Sequence, residues 1–160
     1  MPGYGVQSAA VTLIGQSIGA KRQDLTFRLG TLTTALGIGL MTCSGLFMYF
    51  GSPLMMHLLT PDAQIIGLGV QILRIEAFAE PMYGASIVVA GVLQGAGDTL
   101  SSSLMNLISM WCVRIPLAAL LAGNYGLTGV WFAMALELNV RGILFLYRLF
   151  KKKWMSKLAN

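Results

Sequence analysis

Long apolar stretches separated by short polar connections run through the whole chain. A helix needs about 20 mostly apolar residues to cross the hydrocarbon core of a bilayer, and these stretches have that length. The pattern therefore predicts an all-α integral membrane protein, a polytopic helical bundle that ends in a basic tail at residues 149–160. We expect a single bundle of five transmembrane helices, at residues 3–20, 30–50, 75–94, 100–122 and 126–148.

A short segment, residues 51–61, separates the second and third predicted spans and contains Pro53 and Pro61. It is too short to cross the membrane, and we expect a brief helix lying at the external face. Asp62 should open the next helix, because a proline and an acidic residue suit the first helical turn. That helix, running from 62 to 94, would be about 50 Å long, so its first turns should project out of the membrane.

The composition supports a membrane protein and excludes other classes. Hydrophobic residues make up 56% of the 160 residues, charged residues make up 11%, and the mean hydropathy is +0.71. A soluble domain carries about 25% charged residues, so this chain has too few charged groups to cover a water-facing surface. Disorder requires low hydrophobicity and high charge, which is the reverse of this composition.

The basic residues form two clusters that predict the orientation in the membrane. Of the eleven lysines and arginines, three lie in 21–28 and five lie from Arg148 onward, whereas 51–61 and 122–128 contain none. Basic connections stay in the cytoplasm, so we expect a multi-pass protein of the inner (plasma) membrane with a cytoplasmic C-terminus. Five spans then place residue 1 outside, as in a chain cut from a longer one. No basic stripe with interleaved aromatic residues supports nucleic-acid binding.

The sequence carries no enzyme signature. Its Gly-x-Gly pairs lack the third glycine of a dinucleotide-binding loop, and no P-loop lysine follows them. Cys43 and Cys112 lie in apolar runs without metal-ligand spacing, and we expect both to be small buried side chains. The only histidine, His57, has no cysteine or second histidine near it. We therefore expect no enzymatic activity, no catalytic residues, no metal site and no cofactor.

Ionisable residues inside the predicted spans are the candidates for chemistry, because placing them in a bilayer is costly. Glu76 and Glu80 lie four residues apart on one helical face, with Tyr83 on nearly the same side. A partly desolvated carboxyl at Glu80 could load and release a proton. Glu80, Tyr83, Glu76 and Arg114 therefore form a candidate site for a proton, a cation or a substrate. In the alternative interpretation, Glu80 faces an external vestibule or pairs with a basic residue.

The last two spans contain charged residues for which a structural role is favoured. Pro116 removes a backbone hydrogen bond, frees a carbonyl near Cys112 and should kink the helix. Arg114 would then cap freed carbonyls or pair with an acid, with substrate contact as the alternative. Glu137 and Arg141 stand four residues apart in the better order for an intrahelical ion pair.

Small-residue spacings and three longer motifs complete the pattern. Gly15-x-x-x-Gly19 and Gly91-x-x-x-Gly95 have the spacing that lets helices approach closely in lipid. The longer motifs are GQSIGAK at 15–21, LQGAGDT at 93–99, and WCVRIPL at 111–117 followed by GLTGVW at 126–131. In their order and spacing, over nearly the whole chain, they resemble the multidrug and toxic compound extrusion (MATE) transporters.

The resemblance implies an antiporter with twelve helices in two lobes, of which this chain is similar to the last five. Such a protein exports drugs or cationic metabolites, in exchange for H⁺ or Na⁺, by alternating access between the lobes. Its partners would be the small organic substrate, the lipid bilayer and an N-terminal lobe outside this chain, so we expect no transport by the chain alone. The resemblance also marks structural motif positions at Gln16, Gly19, Gln94, Gly95, Gly97, Asp98 and Pro116.

Two details of the resemblance concern α-helix ends and the cation site. The glycines of LQGAGDT allow a tight turn, and Asp98 is expected to cap the next helix. Some cation-coupled members carry an acid about two turns or more before this motif, where this sequence has Tyr83 or a neighbour. Glu80 is the nearest carboxyl.

Two other functions remain open at this point. A lipid-linked oligosaccharide flippase of similar architecture should line its cavity with several basic residues, and the sequence offers only Arg114 for this purpose. A non-transporting membrane scaffold, or the remnant of a degraded gene, is the other alternative.

Overall fold

The fold is helical throughout the residues that the structure describes. A computed structural model describes residues 2–156, apart from the side chains of 153 and 156, and contains no strand within that range. Lys157 of the basic tail lies outside the described residues. We label the four long helices α1 to α4 and the short last helix α5; their bounds are Pro2–Gly19, Gln23–Leu59, Ala63–Gly95, Thr99–Phe150 and Lys153–Ser156.

The all-α membrane class is confirmed, but the prediction of five separate helices is wrong. The described residues form four long helices, because the predicted fourth and fifth spans lie in one helical element of 52 residues, Thr99–Phe150, which bends sharply at Gly126 and has no separate loop there. Within residues 2–156, three helices are long and apolar enough to cross a membrane, namely α2, α3 and α4.

The long helix α4 folds back on itself at Gly126. This residue has non-helical backbone angles, with φ at 58° and ψ at −137°, a conformation that glycine adopts without strain. Polar contacts join Ser109 to Glu137 and Asp98 to Arg148, and both pairs are centred on about residue 123. The two sides of α4 therefore run antiparallel. We call residues 99–125 the first arm of α4 and residues 127–150 the second arm.

The separate helix expected at 51–61 does not form, because α2 continues through Pro53 to Leu59. Pro53 has no N–H group to donate to the carbonyl of Tyr49. The buried hydroxyl of Ser52 donates to that carbonyl instead, at 3.0 Å. A substitute donor of this kind allows a proline to remain inside a membrane helix.

The third helix begins where the sequence predicts and then occupies the centre of the bundle. Asp62 caps α3, since its Oδ1 accepts hydrogen bonds from the backbone N–H groups of Gln64 at 2.9 Å and Ile65 at 3.4 Å. From residue 84 to residue 93 every residue is buried. α3 thus supplies the wall against which the other helices pack.

Glycines bring α1 close to α3. A Cβ added to Gly91 would lie 2.8 Å from the carbonyl oxygen of Gln7, and one added to Gly95 would lie 2.6 Å from that of Val11. These two positions therefore need glycine for the approach of the backbones, as the spacing predicts. Gly19 has no atom of another described residue within 4 Å of such a Cβ, so the predicted close packing does not extend to it.

The largest core cluster lies toward one end of the bundle, where α1, α3 and the second arm of α4 end. Trp154 of α5 is completely buried in this cluster, and its indole N–H donates to the carbonyl of Leu149 at 3.1 Å. Cys43 and Cys112, by contrast, are exposed, so the expectation of two buried cysteines is wrong. The outward faces of α2 and α4 are also apolar. An apolar stretch of sequence therefore does not show which of its residues are buried in the core.

Candidate functional site

Three of the predicted site residues lie along one side of α3. Glu76 and Glu80 are one helical turn apart, and Tyr83 follows after most of another turn. At 1.5 Å per residue, Glu80 lies about 22 Å and Tyr83 about 18 Å along the helix from its end at Gly95. Measured from that end, both side chains fall within the thickness of a hydrocarbon core, about 30 Å.

The carboxylates of Glu76 and Glu80 are incompletely satisfied. The Oε2 atom of each is buried and has no hydrogen-bond partner among the described residues. Glu80 packs against Gly45 of α2: a Cβ added to Gly45 would lie 3.2 Å from the Cβ of Glu80. The guanidinium of Arg114 attracts Glu76, but the two form no ion pair within 4 Å. A buried carboxylate oxygen without a partner is costly, and a proton or a cation would remove that cost.

A third carboxylate, that of the buried Glu137 on the second arm of α4, has partners at its Oε1 atom. Its Oε1 accepts a hydrogen bond from the Ser109 hydroxyl at 2.6 Å and lies 3.4 Å from Arg141 Nε, within ion-pair distance. The predicted Glu137–Arg141 pair is therefore confirmed. Arg141 also reaches Asn106, to whose Oδ1 it donates at 3.4 Å, and its guanidinium lies 5.7 Å from the centre of the Tyr83 ring.

A polar cavity of about 280 Å³ lies between α1, α3 and the two arms of α4. Across it, the hydroxyls of Tyr4 and Tyr83 approach within 3.5 Å. Of the predicted site residues, Tyr83, Arg114 and Gln94 line this cavity, whereas Glu76 and Glu80 lie further along α3. The complete lining consists of Tyr4, Gln7, Tyr83, Ser86, Ile87, Ala90, Gln94, Asn106, Arg114 and Arg141.

The first arm of α4 changes its helix type directly before Pro116. Residues Ser109–Arg114 form a π-helical stretch. Pro116 cannot donate to the carbonyl of Cys112, and a wider local helix removes the clash between them. The distortion expected at Pro116 takes this form. It leaves Arg114 at the end of the stretch, on the wall of the polar cavity.

The LQGAGDT segment forms a tight connection between α3 and α4, as the resemblance implies. Gly97 has φ at +78°, which favours glycine. The expected cap by Asp98 is wrong, because its carboxylate makes no capping hydrogen bond to the start of α4. It instead accepts from Arg148 Nη2 at 2.7 Å and from the Ser101 hydroxyl at 2.8 Å. For the Asp98 carboxylate, the attraction to the Arg148 guanidinium is therefore stronger than the attraction to the backbone N–H groups at the start of α4.

The remaining predicted positions lie away from the cavity, and some cavity residues were missed. Gln16 and Gly19 stand exposed near the end of α1. The contributions of Tyr4, Asn106 and Arg141 were not predicted. The only signal for them in the sequence is their polarity within apolar stretches. Among residues 2–156, no group of three or more histidine, cysteine, aspartate or glutamate side chains could hold a metal ion.

Comparisons with known proteins agree with one another. A family model described as MatE matches residues 1–120. The probable multidrug resistance protein NorM of Mesorhizobium japonicum is 30% identical over 151 residues, which cover 90% of this chain and 32% of that protein. The Bacillus subtilis protein named uncharacterized transporter YisQ is 27% identical over 157 residues, which cover 97% of this chain and 34% of that protein.

A solved structure has the same fold. It is an inward-facing conformation of a multidrug resistance MATE family transporter of the MOP superfamily, with a TM-score of 0.87 at 16% sequence identity. The match covers 99% of this chain and 37% of that one. The chain thus spans about a third of the length of the curated relatives that it matches. Since the family model covers most of the chain, the chain belongs to the MatE family, and a protein named as a transporter is among its relatives.

Proposed function

We propose that this chain forms the C-terminal part of a secondary antiporter that exports drugs or cationic metabolites in exchange for H⁺ or Na⁺. The observation that carries the proposal is the polar cavity between α1, α3 and α4, in a bundle whose outward faces are apolar. Alternating access needs a second bundle around such a site, which the missing N-terminal lobe would supply. The relatives named NorM, described as probable multidrug resistance proteins, support the substrate class.

The charges near the cavity favour a cationic substrate. Glu76 and Glu80 carry two negative charges when ionised, and Arg114 carries one positive charge, which leaves a net charge of −1. The Arg141 charge is balanced separately by Glu137. A substrate cation would be attracted to the net negative charge, whereas binding of H⁺ or Na⁺ would neutralise it. The two cations would therefore compete for the same charge, which is the basis of exchange between them.

Transport can be tested with a chimera. The chain would be joined to the N-terminal two thirds of the Mesorhizobium japonicum NorM protein and expressed in a drug-hypersensitive bacterium. We expect the chimera to lower ethidium accumulation, and the 160-residue chain alone, at equal expression, to leave it unchanged. Efflux by the chain alone, or no efflux by a correctly inserted chimera, would contradict the proposal.

The coupling site can be tested in the same chimera. Proteoliposomes would receive either a pH gradient or a Na⁺ gradient, and ethidium transport would be followed in each. We expect Glu80→Gln to abolish the response to the gradient that drives the unsubstituted chimera. Asp62→Asn, which removes an exposed carboxylate at the start of α3, is the matched control and should keep that response. An unchanged response in Glu80→Gln would remove Glu80 from the mechanism.

We also propose that the protein lies in the inner (plasma) membrane with its C-terminus in the cytoplasm, and the gathering of basic residues at one end of the bundle supports this orientation. A green fluorescent protein fused after Asn160 should fluoresce, and alkaline phosphatase fused there should be inactive. The reverse pair of results would invert the orientation.

One observation favours a second candidate, an exporter of lipid-linked oligosaccharide pyrophosphates. The cavity presents two arginines, Arg114 and Arg141, rather than the single one expected from the sequence. If this function were correct, the chimera would restore growth of a strain that lacks such a flippase and would leave ethidium accumulation unchanged.

A further inference from the structure

The two basic clusters of the sequence meet at one end of the bundle. Five exposed basic side chains gather there, and we call them the basic surface: Lys21, Arg22, Arg28, Lys151 and Lys152. The C-terminal lysines reach this position because α5 folds back under the bundle. Its Trp154 is fully buried and packs in the same core cluster as Ile18 of α1 and Phe27 of α2.

Aromatic rings hold the two C-terminal lysines in place. The ammonium group of Lys152 lies 4.2 Å from the centre of the Phe27 ring, and that of Lys151 lies 5.0 Å from the centre of the Tyr147 ring. Lys151 Nζ also donates a hydrogen bond to Tyr147 Oη at 2.9 Å. A cation over a ring keeps its remaining N–H donors available, so both lysines can still bind an anion.

Two of these lysines occupy positions where the backbone favours glycine. Lys21 lies in the turn after α1 with φ at 56°, and Lys152 lies just after α4 with φ at 53°. Most other residues avoid this left-handed conformation, and glycine is the usual choice at the end of a helix. Glycine would fit the turn better at both positions. The presence of lysine at both therefore indicates that the positive charge at this end of the bundle has a role.

The acidic residues around the basic surface do not neutralise it. Asp24 is the single acidic residue beside it, against five basic ones, and it lines an open cavity of about 370 Å³ together with Lys21 and Arg22. Asp98 is already paired with Arg148. Among the described residues, none of the five basic side chains forms an ion pair within 4 Å.

Exposed apolar side chains border the basic surface on the side of the bundle. Phe150 directly precedes Lys151, and Leu32 lies one helical turn beyond Arg28; their exposed fractions are 58% and 56%. Such a border between apolar and basic residues matches the border between acyl chains and headgroups in a lipid monolayer. A free anion would use the basic residues alone, whereas a phospholipid would use both.

We propose that the basic surface binds the phosphate headgroup of an anionic phospholipid, with the acyl chains lying against the apolar side chains beside it. Phosphatidylglycerol has the required chemistry. Basic residues at a membrane surface attract anionic lipids by about 1 kcal/mol each, which corresponds to about a fivefold change in affinity per residue. The site is independent of the transport cavity.

The test is a lipid titration of the purified 160-residue chain in detergent micelles. Thermal unfolding is followed while phosphatidylglycerol, phosphatidylcholine or inorganic phosphate is added, and the shift of the midpoint gives an apparent dissociation constant. We expect phosphatidylglycerol to bind at least fivefold more tightly than phosphatidylcholine. The variants Lys151→Gln/Lys152→Gln and Arg28→Gln should each weaken phosphatidylglycerol binding by at least fivefold.

Two control variants separate this site from a general charge effect. Lys151→Arg/Lys152→Arg keeps the charges and should keep the preference, and Arg74→Gln removes a charge at the other end of the bundle and should also keep it. Equal binding of the two lipids would overturn the proposal, as would a preference that survives both Lys151→Gln/Lys152→Gln and Arg28→Gln. Stabilisation by inorganic phosphate equal to that by phosphatidylglycerol would assign the surface to a free anion instead.

Discussion

Replacing Gly91 by alanine tests the close approach of α1 and α3 most sharply. The added Cβ would lie 2.8 Å from both the Cγ and the carbonyl oxygen of Gln7, and 3.3 Å from its Cα. The Cγ can rotate away, but the carbonyl can move only if α1 shifts. Ordinary contact at a Cβ begins at 3.4 Å, so the helices would have to separate by about 0.6 Å.

The expected loss of stability follows from two opposing effects. Forcing an extra methyl group into a well-packed interface costs about 1–3 kcal/mol. Alanine in place of glycine within a helix stabilises the folded protein by about 0.5–1 kcal/mol. The net loss should be about 0–2.5 kcal/mol, and a loss of about 1 kcal/mol, near the middle of that range, lowers the unfolding midpoint of a chain of this size by roughly 2–4 °C.

The assay heats the protein in detergent and measures the fraction that remains monodisperse by size-exclusion chromatography. Gly39→Ala is the matched control, because a Cβ at this position in the interior of α2 would meet no described atom within 4 Å beyond the surrounding backbone of its own helix. Its midpoint should stay unchanged or rise. The reasoning is refuted if Gly91→Ala melts at or above the temperature of Gly39→Ala.

Four further substitutions probe the contacts that join the two arms of α4 to each other and to α5. Arg148→Ala should cost about 3–5 kcal/mol, because it removes the cation paired with the buried carboxylate of Asp98. Asp98→Ala should cost less, because the Arg148 side chain that it leaves behind is partly exposed to solvent. The double variant should cost less than their sum, and additive losses in this cycle would show that the pair is not coupled. Ser109→Ala removes the 2.6 Å hydrogen bond to Glu137 and should lower the stability by about 1–3 kcal/mol in the same heating assay. Unchanged stability would contradict the presence of that hydrogen bond. Trp154→Ala empties a fully buried site and should cost about 3–5 kcal/mol; a loss below 1 kcal/mol would mean that α5 does not dock as described.

The helices and their apolar character could be predicted from the sequence because membrane spans are a local property. Asp62 after Pro61 marked the start of α3 correctly, since an N-cap acts on the two or three residues that follow it. The prediction failed at Pro53, where the Ser52 hydroxyl replaces the missing donor. It expected the chain to turn between residues 122 and 126, but it did not foresee that the turn would rest on the backbone angles of Gly126 within one helical element. A glycine in a sequence gives no sign of the backbone angles that it will adopt.

The candidate site was predictable only as far as helical periodicity reaches. The spacing of Glu76, Glu80 and Tyr83 placed them on one side of α3, and the structure shows this arrangement. The approach of Arg141 to Tyr83 and of Tyr4 to the same side chain depends on how separate helices pack. The pairing of Asp98 with Arg148 also joins residues 50 positions apart, so the local rule for helix caps gave the wrong partner.

The central claim is that the polar cavity is a water-accessible part of the transport pathway. The direct test is cysteine labelling of the NorM chimera after Cys43 and Cys112 are replaced by alanine. Asn106→Cys introduces a thiol at the cavity wall, and Leu104→Cys introduces one on the opposite, apolar side of the same arm. We predict that a membrane-impermeant methanethiosulfonate labels Asn106→Cys but not Leu104→Cys, and that ethidium slows the labelling. Equal labelling of the two positions, or labelling of Asn106→Cys that ethidium leaves unchanged, would contradict the account.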